Sequence, residues 1–159
     1  MYTAEDEKFM RLAIELAESN VKQMTGGPFG AIIVKNGQIV AASSNKVVTS
    51  NDPTAHAEIA AIRLACENLG TIDLQGCTIY SSCEPCPMCL GAIYWARIDT
   101  LYFGNTKADA AAAGFADDHI YQEIAKPSAA RNLKMTQLLS DEAAVAFKLW
   151  RESETKFDY

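Results

Sequence analysis

The sequence predicts an α/β fold, a three-layer α/β/α arrangement around a five-stranded mixed central sheet. Three observations carry that expectation. Apolar residues recur at helical spacing near both ends of the chain and between short apolar runs. Asn36-Gly37 joins two of those runs, which marks a β-hairpin. Helical and extended segments then alternate, a pattern that places helices on both faces of one sheet.

Each element follows in chain order. Residues 5–22 carry Phe9, Leu12, Ala13, Leu16 and Ala17 on one stripe, an opening helix stopped by Gly26-Gly27-Pro28. Residues 29–34 and 38–43 form the hairpin, which makes the sheet mixed. Residues 45–53 are polar and turn-rich and read as a loop. A helix is expected over 54–69, with Gly70 as its stop, then a strand over 77–82. A further helix over 85–96 begins near Cys86, and a strand over 100–104 follows. The alanine-rich stretch 108–115 has no clear assignment. A fifth strand over 133–138 and a closing helix over 141–155, capped by Ser140, complete the pattern. No repeat, linker or boundary interrupts residues 1–159, so one domain is expected.

Composition narrows the class. No apolar run is long enough to span a bilayer. The start, Met1-Tyr-Thr-Ala-Glu-Asp-Glu-Lys8, is acidic and lacks the features of an export signal, so a cytoplasmic protein is expected. Fourteen basic residues stand against twenty acidic ones, a net charge of −6. That balance, with no basic run, argues against nucleic acid as the main partner. Of the five cysteines, Cys83, Cys86 and Cys89 cluster, which in such a chain reads as metal binding before disulfides. Cys66 and Cys77 read as small core residues.

Two segments carry the chemistry. His56-Ala-Glu58 opens one predicted helix, and Pro85-Cys86-Pro-Met-Cys89 opens another. Cysteines three apart lie on one face of a helical turn, so both sulfurs reach one ion. A helix N-terminus also stabilises thiolates. His56, Cys86 and Cys89 therefore make three ligands for a tetrahedral zinc and leave the fourth position to water, the pattern of a catalytic site. Glu58 lies beside the metal without binding it, placed to move protons. The alternatives are a closed structural site that also uses Cys83, or a redox Cys-x-x-Cys pair.

These two segments resemble the signature of the cytidine deaminase superfamily of zinc deaminases. Further stretches are similar to the small bacterial guanine deaminases: Gly27-Pro28-Phe29-Gly30-Ala31, Asn45, Tyr94-Trp95, Gly114-Phe115-Ala-Asp117 and the terminal Tyr159. The likeness runs along nearly the whole chain, although its central motifs are shared with transfer-RNA adenosine deaminases and fungal-type cytosine deaminases. The resemblance implies one Zn2+ per chain and hydrolytic deamination of a free nucleobase, guanine to xanthine and ammonia. It implies Glu58 as the catalytic proton carrier and Phe29 and Trp95 as walls for a flat ring. Asn45 and Asp117 would hydrogen-bond the purine, and backbone donors near Ala57 and the Cys86 helix start would hold developing charge. It also implies a homodimer, and a C-terminal tail over about 140–159 that closes on its own or a partner's site through Tyr159.

Other readings stand beside these. Phe29 and Trp95 equally suit core packing, Asn45 a turn, Asp117 a helix cap, and the tail aromatics an anchor for the last helix. Arg97 reads more simply as a helix C-terminal cation than as a substrate contact. For function, the rivals are a transfer-RNA adenosine deaminase, a deaminase of cytosine or another amino-heterocycle, and a zinc-stabilised binding protein. Against RNA, the stretch 131–159 carries as many acidic as basic residues.

Overall fold

The computed structural model describes residues 2–115 and 117–156. The chain divides into two compact units, Met1–Asp118 and His119–Tyr159.

The first unit opens with α1 (Ala4–Lys22), started by a capping box in which Thr3 Oγ1 accepts the Asp6 N–H and the Asp6 carboxylate accepts the Thr3 N–H. The hairpin β1 (Gly30–Lys35) and β2 (Gln38–Ser44) follows. Its turn residues Asn36 and Gly37 have φ of 52° and 74°, the double-positive geometry that matches strand twist. Inside the predicted loop lies one helical turn, α2 (Val47–Ser50). Next comes α3 (Ala57–Leu69), which starts later than residue 54 because Asp52 Oδ1 accepts from both the N–H and the hydroxyl of Thr54 and holds a turn there. The unit continues through β3 (Cys77–Cys83), α4 (Pro87–Trp95), β4 (Thr100–Asn105) and α5 (Lys107–Ala112).

The sheet is mixed, as expected, but among the described residues it has four strands, in the order β2-β1-β3-β4. β1 runs antiparallel to both neighbours, and β4 is parallel to β3 after the crossover through α4. The expected fifth strand over 133–138 is absent: those residues are exposed and take no strand conformation. Alternating side chains do not make a strand unless a neighbour completes the hydrogen-bond ladder.

Alternation on the central strands builds three layers. Ile32, Val34 and Tyr80 pack with Phe9 and Ala13 of α1 on one face. Ala31, Ile33, Cys77 and Ile79 pack with Ala57, Ala61 and Ala65 of α3 and Ile93 of α4 on the other. Cys77 is thus a core residue, and half-buried Cys66 packs against the same cluster.

α6 (Asp118–Ala125) starts at the last residue of the first unit, and the second unit goes on to a 3-10 turn over Ser128–Ala130 and α7 (Ser140–Glu152). The residue capping α7 is Leu139, in left-handed conformation, and Ser140 is already helical, one position off the expected cap.

Candidate active site

The site forms at one end of the sheet. Gly30 at the start of β1 pairs with Ser44 at the end of β2, and β3 ends beside them. Phe29, Asn45 and Glu84-Pro85-Cys86 therefore leave the sheet at the same edge. His56 and Cys86 arrive there as the N-cap residues of α3 and α4. They surround a cavity of about 400 Å³ lined by Phe29, Asn45, His56, Glu58, Glu84, Cys86, Phe115 and Asp117, with Gly27, Val47, Val48, Pro53 and Gly114. This size suits a small ligand.

His56, Cys86 and Cys89 offer ligand atoms within 4.8 Å of one another. Nδ1 of His56 stands 3.6 Å from Cys86 Sγ and 3.5 Å from Cys89 Sγ. A tetrahedral zinc with Zn–N of about 2.0–2.1 Å and Zn–S of about 2.3 Å sets nitrogen and sulfur about 3.6 Å apart. The donor set therefore fits zinc in kind and in spacing. A hydrogen bond from Cys89 holds the Cys86 thiol well below its usual value, and the same bond pushes Cys89 up. Contact with the Cys86 sulfur raises His56.

Cys83 is not part of this cluster. It lies at the end of β3, its thiol directed to the Thr106 carbonyl oxygen at 3.7 Å, and burial pushes it up to about 11. That geometry argues against a closed site of three cysteines and a histidine.

Glu58, in the first turn of α3, is 5% exposed and still lines the cavity. Its Oε1 accepts from Ser81 Oγ at 3.2 Å and its Oε2 from Cys89 Sγ at 3.5 Å. Burial raises its carboxyl above the usual range, which suits a group that must both take and give a proton.

The remaining sequence-predicted residues divide. Phe29, Asn45 and Asp117 line the cavity. Ala57 is fully buried at the first turn of α3, where backbone N–H groups lack helical partners. Trp95 is 71% exposed and does not line the cavity; it ends α4, nine residues beyond Cys86, about 13 Å along the helix axis. The ring that meets Phe29 is Phe115, edge-on at 4.8 Å and 80°. Arg97 pairs with Asp73 at 2.9 Å, away from the cavity. Tyr159 lies outside the described residues.

Several residues escaped sequence reasoning. Val47, Val48 and Glu84 line the cavity, and Ser81 holds Glu58. Ser81 carried a signal: Cys77, Ile79 and Ser81 share one face of β3, and a serine ending an apolar stripe needs a partner.

Comparison with known proteins agrees with this geometry. The model of the cytidine and deoxycytidylate deaminase zinc-binding region matches residues 3–105. The chain is 50% identical to guanine deaminase of Bacillus subtilis over 96% of its length and 98% of that protein's. The crystal structure of that enzyme superposes with a TM-score of 0.93 over the same shares of the two chains. A tRNA-specific adenosine deaminase of Agrobacterium fabrum is 48% identical over 64% of this chain and 66% of its own.

Proposed function

Since the chain belongs to the family defined by the cytidine and deoxycytidylate deaminase zinc-binding region, we propose that it hydrolyses free guanine to xanthine and ammonia. The observation that carries this reading is the meeting of a three-donor metal cluster and a buried carboxylate, Glu58, on one small cavity. Guanine is favoured as the base because the likeness to a guanine deaminase spans 96% of the chain.

His56, Cys86 and Cys89 would hold zinc, which would supply an acidified water as nucleophile at neutral pH. Glu58 takes one proton from the attacking water and delivers it to the ring nitrogen beside C2; it then takes the proton of the new C2 hydroxyl and passes it to the amine, which leaves as ammonia as the C2 carbonyl forms. Ser81 fixes one oxygen of that carboxylate while it does so. Phe29 and Phe115 bound the flat ring. Oδ1 of Asn45 is engaged by the Val47 N–H at 3.2 Å, so its NH2 group serves as donor to the purine. Asp117 accepts from the ring N–H groups. Backbone donors at the starts of α3 and α4 stabilise charge at the reacting carbon.

Zinc-loaded protein should release xanthine and ammonia in equal amounts from guanine, and turn over cytosine, adenine and the nucleosides more slowly. No turnover of guanine, or a clear preference for another base, overturns the substrate assignment.

The reading extends to the assembly and the tail. A homodimer is supported by Tyr94 and Trp95, 76% and 71% exposed on α4; a monomer in sedimentation at micromolar concentration would refute it. A lid role for the tail, which the resemblance implies, requires that deleting residues 156–159 abolish guanine turnover with zinc content and Tm nearly unchanged. Activity and stability falling together would make the tail an anchor.

A further inference from the structure

The buried stripe of α1 runs Phe9, Ala13, Ala17 and then Asn20. A polar amide, 4% exposed, thus takes a position the helical pattern reserves for an apolar side chain. Burying an amide is costly unless its hydrogen bonds are made. Here they all are. Nδ2 donates to the Gly27 carbonyl at 2.8 Å and to the Asn45 carbonyl at 2.9 Å. Oδ1 accepts from Thr25 Oγ1 at 2.7 Å and Ser44 Oγ at 3.2 Å. These bonds use both donors and both lone pairs of the group, and two facing carbonyls fix which end is nitrogen.

The bonds converge on the cavity. Gly27 and Asn45 both line it, and the Gly27 carbonyl also accepts the N–H of Phe29 at 2.8 Å. Phe29 in turn accepts the Asn45 N–H at 3.0 Å. One side chain therefore ties together the segment bearing the aromatic wall and the residue offering the purine donor. The fit is tight: a Cβ on Gly26 would stand 2.7 Å from Asn20 Nδ2, 2.7 Å from the Asn45 carbonyl oxygen and 3.2 Å from Asn45 Oδ1. Asn20 itself does not line the cavity.

We propose that Asn20 is a positioning residue for substrate: it sets the placement of Phe29 relative to Asn45, and through them the placement of the base before Glu58. The proposal rests on the nucleobase reading of this cavity. A residue that only ended α1 would affect folding alone, whereas a positioning residue must change how the folded enzyme binds its base.

Asn20→Leu keeps the number and branching of the side-chain heavy atoms and removes all four bonds. Its zinc content should stay at the wild-type level, while KM for guanine rises by at least about tenfold and kcat falls less, because the two contacts that orient the base shift together. If this variant does not fold, Thr25→Val removes a bond to Asn20 Oδ1 from a residue outside the cavity lining with α1 intact, and a smaller loss weighted to KM is expected. The wild-type enzyme in the same assay tests the guanine reading separately, and whichever base it turns over best is the probe for the variants. Should wild type turn over none, the dissociation constant of xanthine, read by equilibrium dialysis, replaces KM. A variant with lowered Tm but KM and kcat within twofold of wild type overturns the proposal.

Discussion

Glu58 sits between two demands. A carboxylate 5% exposed resists ionisation, yet Ser81 and Cys89 hydrogen-bond both of its oxygens. The result is a group placed to exchange a proton and too well held to swing away. Glu58→Gln preserves shape and leaves the three metal donors in place, but an amide cannot cycle a proton. Turnover should fall by about 10²–10⁴ with zinc content unchanged, read by steady-state rates and metal analysis. A variant keeping more than a tenth of wild-type activity would remove Glu58 from the chemistry. Cys83→Ser is the complementary test. Its thiol faces Thr106 and not the cluster, so the variant should bind one zinc per chain and lose little activity. Loss of the metal would place Cys83 among the ligands.

Among the elements, α1 carries the most unusual burden, because it covers one face of the sheet and, through Asn20 near its end, bonds two residues that line the cavity. Its first turn is tied to β3 by Asp6, whose Oδ1 accepts the Tyr80 hydroxyl at 2.6 Å and whose Oδ2 caps the helix at Thr3. The Tyr80 hydrogen bond, with those from Thr3, holds the Asp6 carboxyl below its usual value. The folded carboxyl therefore ionises at lower pH than the unfolded one. Its contribution to stability is complete above the unfolded value, about 3.9, and is lost as pH falls through the lower folded value. Asp6→Asn should lower Tm at neutral pH and flatten the fall of Tm with acid below about pH 4. Thermal melts across pH 2–6 check this, and an unchanged acid slope would mean that other carboxylates govern acid unfolding.

For the whole molecule, charge separates the substrate classes. A tRNA-specific relative shares 48% identity over 64% of the chain, so RNA is a rival that the family alone does not dismiss. The chain's net charge of −6 opposes a phosphate backbone. Transfer RNA should be neither deaminated nor bound with more than nonspecific affinity, and any binding at 50 mM salt should weaken by about 10³-fold or more by 200 mM if six or more phosphates are contacted. Inosine formation in transfer RNA would reverse the assignment. Among the described residues, all those lining the cavity fall within the unit Met1–Asp118.

Taken alone, the sequence determined what is local. Helical stripes and the Asn36-Gly37 turn depend on residues a few positions apart. The metal donors belong to this class, because Cys86 and Cys89 share a helical turn and His56 and Glu58 share a helix start. Their meeting was legible because the two segments match one known signature. Tertiary structure alone decided what depends on distant neighbours. Phe115, and not Trp95, meets Phe29, since a pocket wall is set by which loops the sheet edge brings together. Residues 133–138 alternate like a strand yet form none, for pairing is a property of two segments. Asn20 lies 25 residues from Asn45, and its meaning emerged only when folding placed its amide between two carbonyls. Periodicity states which face of a segment is buried; it does not state against what, and a buried polar group is defined by its partners.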